Sequence, residues 1–154
     1  MKRNMKQWVA ETIANPVKKG VPVLSFPAVQ LMDITVRDLI SSSDLQAKGM
    51  KMVADKVPSG ASVSLMDLSV EAECFGSTIR VTDDEVPTVI GAVVSDEDAA
   101  DALVVPEVGV CRTGLYIEAI AKASEMITDR PVLAGVIGPF SLAGRLMDVG
   151  EAMA

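Results

Sequence analysis

The 154-residue chain contains no histidine. That absence removes every imidazole device at once: no Ser-His or Cys-His nucleophile pair, no histidine metal site and no imidazole acid–base catalyst can be built within it. Proton transfer would fall to carboxylates, lysine, tyrosine or cysteine. Cysteine is scarce as well, with Cys74 and Cys111 alone. They form no C-x-x-C, so neither a disulfide framework nor a zinc motif is readable. Aromatic residues make up only 3%, which leaves core filling to small, branched and methionine side chains. No apolar run is long enough to span a bilayer and no secretory signal is readable. The expectation is a reducing, cytoplasmic setting. Basic residues are outnumbered 14 to 21, a net charge of −7. Without a basic stripe to neutralise phosphates, a nucleic-acid or anionic-membrane surface is argued against.

What is present suits one globular domain over residues 1–154. Apolar residues reach 49%, charged residues 23% and methionines nine. This composition carries none of the signs of disorder.

The chain is organised around Ala61 to Gly76, ASVSLMDLSVEAECFG. Val63 and Leu65 alternate with serines as in a strand, which stops at Met66-Asp67. A carboxylate at a strand's carboxyl end lies where ligands bind in α/β proteins. Glu71 and Glu73 follow in a helix-forming segment that Gly76 ends. Asp67 is a candidate acid–base or substrate-binding group, or simply a cap on the next helix. Glu71 and Glu73 diverge on a helix, so at most one of them can join Asp67.

Around this centre the pattern predicts a helix over Met1 to Asn15 and a strand buried on both faces over Val21 to Pro27. It predicts a short helix within Leu31 to Ser43, then a longer one over Leu45 to Lys56 capped by Ser43 or Asp44. Thr78 to Val81 reads as an edge strand, and Pro87 opens an apolar run to Val94. Ser95 caps a helix over Asp96 to Leu103. A helix over Leu115 to Ile127, a core strand over Val132 to Ile137 and a helix over Leu142 to Met147 complete the order. Asp148 to Ala154 read as the start of a further helix. Alternation of helix and strand favours a parallel sheet with crossover helices.

Gly138-Pro139-Phe140-Ser141 sits where strand turns to helix, and its N–H groups could hold an anion, or form an ordinary tight turn. Arg112 could meet a ligand carboxylate or pair with Glu107. Cys74 and Cys111 read more naturally as small apolar residues than as nucleophiles, and Met32, Met50, Met52 and Met66 as core.

MDLSVEAECFG, the downstream Asp-Glu-Val-Pro, Cys-Arg-Thr before a long helix, and AGVIGPFSLAGRLM occur in order over most of the chain. Together they resemble the uroporphyrinogen decarboxylase superfamily, and within it the corrinoid-dependent methyltransferases of the methylcobamide:coenzyme M type. The resemblance implies an α/β fold, the first half of a (β/α)8 TIM barrel, with a cleft at the strands' carboxyl ends. It implies that Asp67 is the catalytic carboxylate lining that cleft. Glu71, Glu73 and the turn Gly138, Pro139, Phe140 and Ser141 would contribute to substrate binding. It also implies a corrinoid protein as partner, a small thiol as substrate and zinc in the complete enzyme. No cofactor is expected on this chain itself, because the family's zinc ligands lie in the barrel's second half. The decarboxylases' arginine-rich motif after the first strand is missing: SFPAVQLMD stands there, which tells against decarboxylation.

A full barrel takes about 250 residues, so this length supplies roughly half of one. Half a barrel leaves open sheet edges and an apolar face. The expectation is an incomplete product, inactive alone, that covers those edges as a homo-oligomer or by rearranging its strands. Three functions stay open at this stage. They are the amino-terminal part of a methyltransferase, a porphyrinogen decarboxylase relative, and a non-catalytic module that self-associates or binds a corrinoid protein.

Overall fold

In a computed structural model, which describes residues 3–148, 150 and 153, the chain opens with α1 (Met5–Ala14). The Asn4 side chain caps it by accepting from the Gln7 N–H at 3.2 Å. None of its residues is buried. The apolar stretch Val21 to Pro27 departs from expectation: it forms no strand. Val21 and Val23 stay 44% and 59% exposed. Pro22 has no N–H to give a ladder, and the segment is fastened beside the sheet mainly by Ser25. The Ser25 hydroxyl donates to the Ser64 carbonyl at 2.7 Å.

Two short helices follow where one was expected, α2 (Ala28–Met32) and α3 (Val36–Ile40). The break falls at Asp33, whose backbone is left-handed with φ 53°. Thr35 and Asp38 then form a reciprocal capping box that starts α3. Next comes α4 (Ser43–Lys56), capped by Ser42 rather than by Ser43 or Asp44. Ser42 holds the extended backbone, and its hydroxyl accepts from the Leu45 N–H at 3.3 Å.

The central strand β1 (Ser62–Val63) is short, and α5 (Val70–Cys74) comes after it. β2 (Thr78–Arg80) and β3 (Thr88–Ile90) form an antiparallel hairpin. α6 (Glu97–Asp101) is capped by Asp96, with Ser95 donating to that cap rather than forming it. α7 (Arg112–Met126) is the longest helix described. β4 (Val132–Leu133) pairs parallel with β1, matching Ser62 with Val132 and Val63 with Leu133. α8 (Pro139–Leu146) begins three residues earlier than the pattern predicts, because Pro139 suits a helix's first turn. The helix expected after Asp148 falls mostly on residues outside those described.

The parallel pair β1 and β4 is thus separated in sequence by helices and a hairpin, which is crossover topology. Among the described residues no closed barrel forms. Three apolar clusters hold the elements together. Val36, Leu39, Ile40, Leu65, Val70 and Tyr116 join α3 to β1, α5 and α7. Ala47, Met50 and Ala54 of α4 meet Ala123 and Ile127 at α7. Small side chains on facing helices allow close packing there. Ala72, Val94 and Leu146 hold α5 against α8. Of the methionines read as core, Met50 is buried, whereas Met32, Met52 and Met66 are half-buried.

Candidate active site

β1 ends by delivering Leu65, Met66 and Asp67 to its carboxyl end, where the first turn of α5 begins. Asp67 is buried, with none of its side chain exposed. A buried carboxylate without partners would be costly, and each oxygen has its own. Oδ1 accepts from the Ser69 N–H at 2.9 Å and the Ser69 hydroxyl at 2.5 Å. Oδ2 accepts from Arg112 Nη1 at 2.6 Å and the Tyr116 hydroxyl at 3.0 Å. Asp67 is therefore no ordinary helix cap.

Arg112 is the hub of the cluster. Its Nε donates to Glu73 Oε2 at 2.6 Å and its Nη2 to the Ser69 hydroxyl at 2.9 Å. One guanidinium thus ties the strand end, α5 and α7 together, as its planar fork of donors allows. Burial works against the charge on Arg112, but hydrogen bonding and charge from Asp67, then Glu73, outweigh it and hold its pKa above the ordinary arginine value. Burial, followed by the Asp67 charge, pushes the Tyr116 phenol well above the usual tyrosine range. Tyr116 is a fixed neutral donor.

The two glutamates separate, as helical spacing requires. Glu73 joins Asp67 through Arg112. Glu71 faces elsewhere and accepts from the Ile137 N–H at 3.2 Å, binding α5 to the segment after β4. Arg112 does not pair with Glu107, because Asp67 and Glu73 occupy its donors.

Beside this cluster lies an open cavity of about 430 Å³, a size that suits a small molecule. Its floor comes from Leu65 to Leu68 after β1 and Ala134 to Ile137 after β4. Val70, Glu71, Cys74 and Phe75 of α5 and its end form one wall, and Tyr116, Ile117 and Ile120 of α7 another. Val105 to Gly109 rim it. Both strand segments enter by their carboxyl ends, as expected for this class of fold. The lining is mainly apolar, and its two carboxylates nearest the strands are tied to protein donors. Gly138 to Ser141 lie past the lining, which stops at Ile137; Phe140 is 63% exposed.

Tyr116 and Ser69 were not among the residues singled out by sequence. A signal existed for the tyrosine. It is the only one in the chain, and it follows Arg112 by four positions, which puts both on one face of α7. Ser69 gave no such signal, because a serine before a helix reads as a cap.

Geometry and topology define the class first: a mixed α/β chain with parallel strands, crossover helices and a cleft at the strand ends, a partial (β/α)8 barrel. The family follows from sequence comparison. Residues 20–154 match the uroporphyrinogen decarboxylase (URO-D) family, and the chain belongs to that family. Comparison with curated proteins returned no match. Among solved structures the fold is similar to that of a methyltransferase from Methanosarcina mazei, with a TM-score of 0.77 at 23% identity. The likeness covers 99% of this chain and 48% of that one, so the chain spans about half the length of the protein it matches. No helix among the described residues is long and apolar enough to cross a membrane.

Proposed function

We propose that this chain supplies the amino-terminal half of a corrinoid-dependent methyltransferase, in which a methyl group passes from a methylated corrinoid protein to a thiol such as coenzyme M. The observation that carries the reading is the state of Asp67. In a decarboxylase this strand-end carboxylate would face the pyrrole nitrogens of the substrate. Here both oxygens are taken by Ser69, Arg112 and Tyr116, which leaves Asp67 as a positioning group. The lack of arginines in SFPAVQLMD adds support, since propionate groups would find no partners there.

The chain's own residues then have limited and definite tasks. Asp67, Arg112 and Glu73 hold β1, α5 and α7 in register, and Glu71 fixes the backbone at Ile137. The apolar walls line the space where a methyl group and a sulfur would meet. Closure of that space by the second half of a barrel would remove water, which strengthens electrostatic interactions at a reacting centre. Zinc does not fit the residues present. The chain has no histidine, and no three His, Cys, Asp or Glu side chains gather to hold a metal among the described residues. No step is assigned to a metal here.

The reading is tested by titrating the purified chain with coproporphyrin, following porphyrin fluorescence. The expected result is no saturable binding. Stoichiometric binding that weakens in Asp67→Asn would overturn it and restore the decarboxylase alternative.

A further inference from the structure

We propose that Cys74 and Cys111 form a reversible intramolecular disulfide, an oxidative modification site that fastens the rim of the cavity to α5. The two cysteines are 37 positions apart (111 − 74), yet the fold brings them into one neighbourhood. Cys74 Sγ donates to the Val110 carbonyl oxygen at 3.4 Å and lies 4.0 Å from the Thr113 hydroxyl. These residues stand on either side of Cys111. From the Val110 carbonyl oxygen the chain reaches the Cys111 Cα in three bonds, about 4 Å of path. Added to the 3.4 Å contact, that path bounds the separation of Cys74 Sγ and Cys111 Cα at about 7 Å, and closing the disulfide brings the two Cβ atoms to about 3.8 Å.

The rim is seated, so this closeness is not a passing one. A Cβ at Gly114 would come within 2.6 Å of the Gly109 carbonyl oxygen, which means residue 109 rests directly on the first turn of α7. The Thr113 hydroxyl also donates to the Val110 carbonyl. Cys111 itself holds φ 50° and ψ −142°. A side-chain-bearing residue adopts that conformation only where surrounding structure imposes it, a kind of strain that concentrates at functional positions.

The two thiols differ in a way that orders the chemistry. Cys111 is exposed and Cys74 half-buried. Burial first, with the Cys111 thiol adding to it, raises the Cys74 pKa above the ordinary thiol value. Cys111 is the group a soluble oxidant meets, and Cys74 is the resolving partner. With hydrogen peroxide, the Cys111 thiolate attacks one oxygen. The S–O bond forms, the O–O bond breaks, and hydroxide leaves to become water. The Cys74 thiolate then attacks the Cys111 sulfur. The S–S bond forms, the S–O bond breaks, and a second water results. The thiols lose two electrons and two protons, and the peroxide is reduced to two waters. A small thiol reverses the step by exchange. The consequence is structural: Val105 to Gly109, which rim the cavity, become tethered to the wall formed by α5. The inference rests on the thiol pair alone and stands apart from the methyl-transfer reading.

The test treats the full chain with limiting hydrogen peroxide, alkylates the remaining thiols and reads the digest by mass spectrometry. A peptide pair joined through Cys74 and Cys111, released by dithiothreitol, is expected. Proteolysis within residues 104–110 should slow by about tenfold in the oxidised chain as local opening is suppressed. In Cys74→Ser, Cys111 should stop at a sulfenic acid that dimedone traps. The proposal is overturned if only intermolecular disulfides form, or if Cys111 proceeds to sulfinic acid while Cys74 stays alkylatable.

Discussion

Asp67 is the residue on which the site turns, and its burial sets what substitutions cost. With Arg112 removed, a carboxylate with no exposed side-chain surface would lose its counter-charge. Breaking a buried pair in this way costs about 3–5 kcal/mol, a large part of the ~5–15 kcal/mol that holds a domain together. Arg112→Ala should therefore lower the denaturant midpoint steeply, and an unchanged midpoint would show that Asp67 has other support. Tyr116 gives a prediction in pH. Its folded pKa is raised, so the protonated phenol is favoured in the native state. Its stabilisation is complete below the unfolded value of about 10 and is lost as pH rises beyond it. From this group alone stability should fall above about pH 10 by about 1.4 kcal/mol per unit. Tyr116→Phe should cost about 1 kcal/mol at neutral pH and lack that alkaline loss. As the chain's only tyrosine, its phenolate absorbance can be followed directly. An ordinary titration in the folded protein would contradict the account.

Among the elements, α4 shows how tightly the helices are fitted. A Cβ at Gly49 would stand 2.7 Å from the Ala28 Cβ of α2, an atom fixed to its own backbone and unable to yield. Gly49→Ala gains roughly 1 kcal/mol of helix propensity but meets an overpacking cost of about 1–3 kcal/mol. A net loss is expected in thermal unfolding, and a raised melting temperature would show that α2 moves aside. At this scale much was legible in sequence. The long helices announced themselves by period, and the strand at Ser62–Val63 by the alternation of Val63 and Leu65 with serines that ends in an acid. Errors came where local pattern met missing partners. Val21 to Pro27 has a strand's composition, but Pro22 and the lack of a backbone partner leave it unpaired. The cap positions moved by one residue because cap choice depends on backbone angles that composition does not encode. The cluster was half-visible: Asp67 and Glu73 stood out, while their dependence on Arg112 and Tyr116 came only from the approach of α7 in space.

Considered whole, the molecule carries more surface than its mass warrants. A folded monomer of 16.2 kDa should expose about 7,500 Å², and this chain exposes 9438 Å². Val105, Val108 and Val136 are all more than three-quarters exposed, and they stand at the cavity's rim and floor. An open half-barrel explains both facts, since its cavity is bounded by β1, β4, α5 and α7 but left unclosed. The same openness explains why family and fold could be read from motifs while the reaction could not: half of a cleft holds only part of a catalytic set. The most direct measurement supplies the rest. The chain would be joined to the carboxyl-terminal half of a methyltransferase barrel of this family, and methylcobalamin followed in the presence of zinc and coenzyme M. Methylcobalamin should lose its methyl group as the methyl thioether accumulates. A folded, soluble reconstituted barrel that leaves methylcobalamin intact but decarboxylates uroporphyrinogen would contradict the methyl-transfer reading.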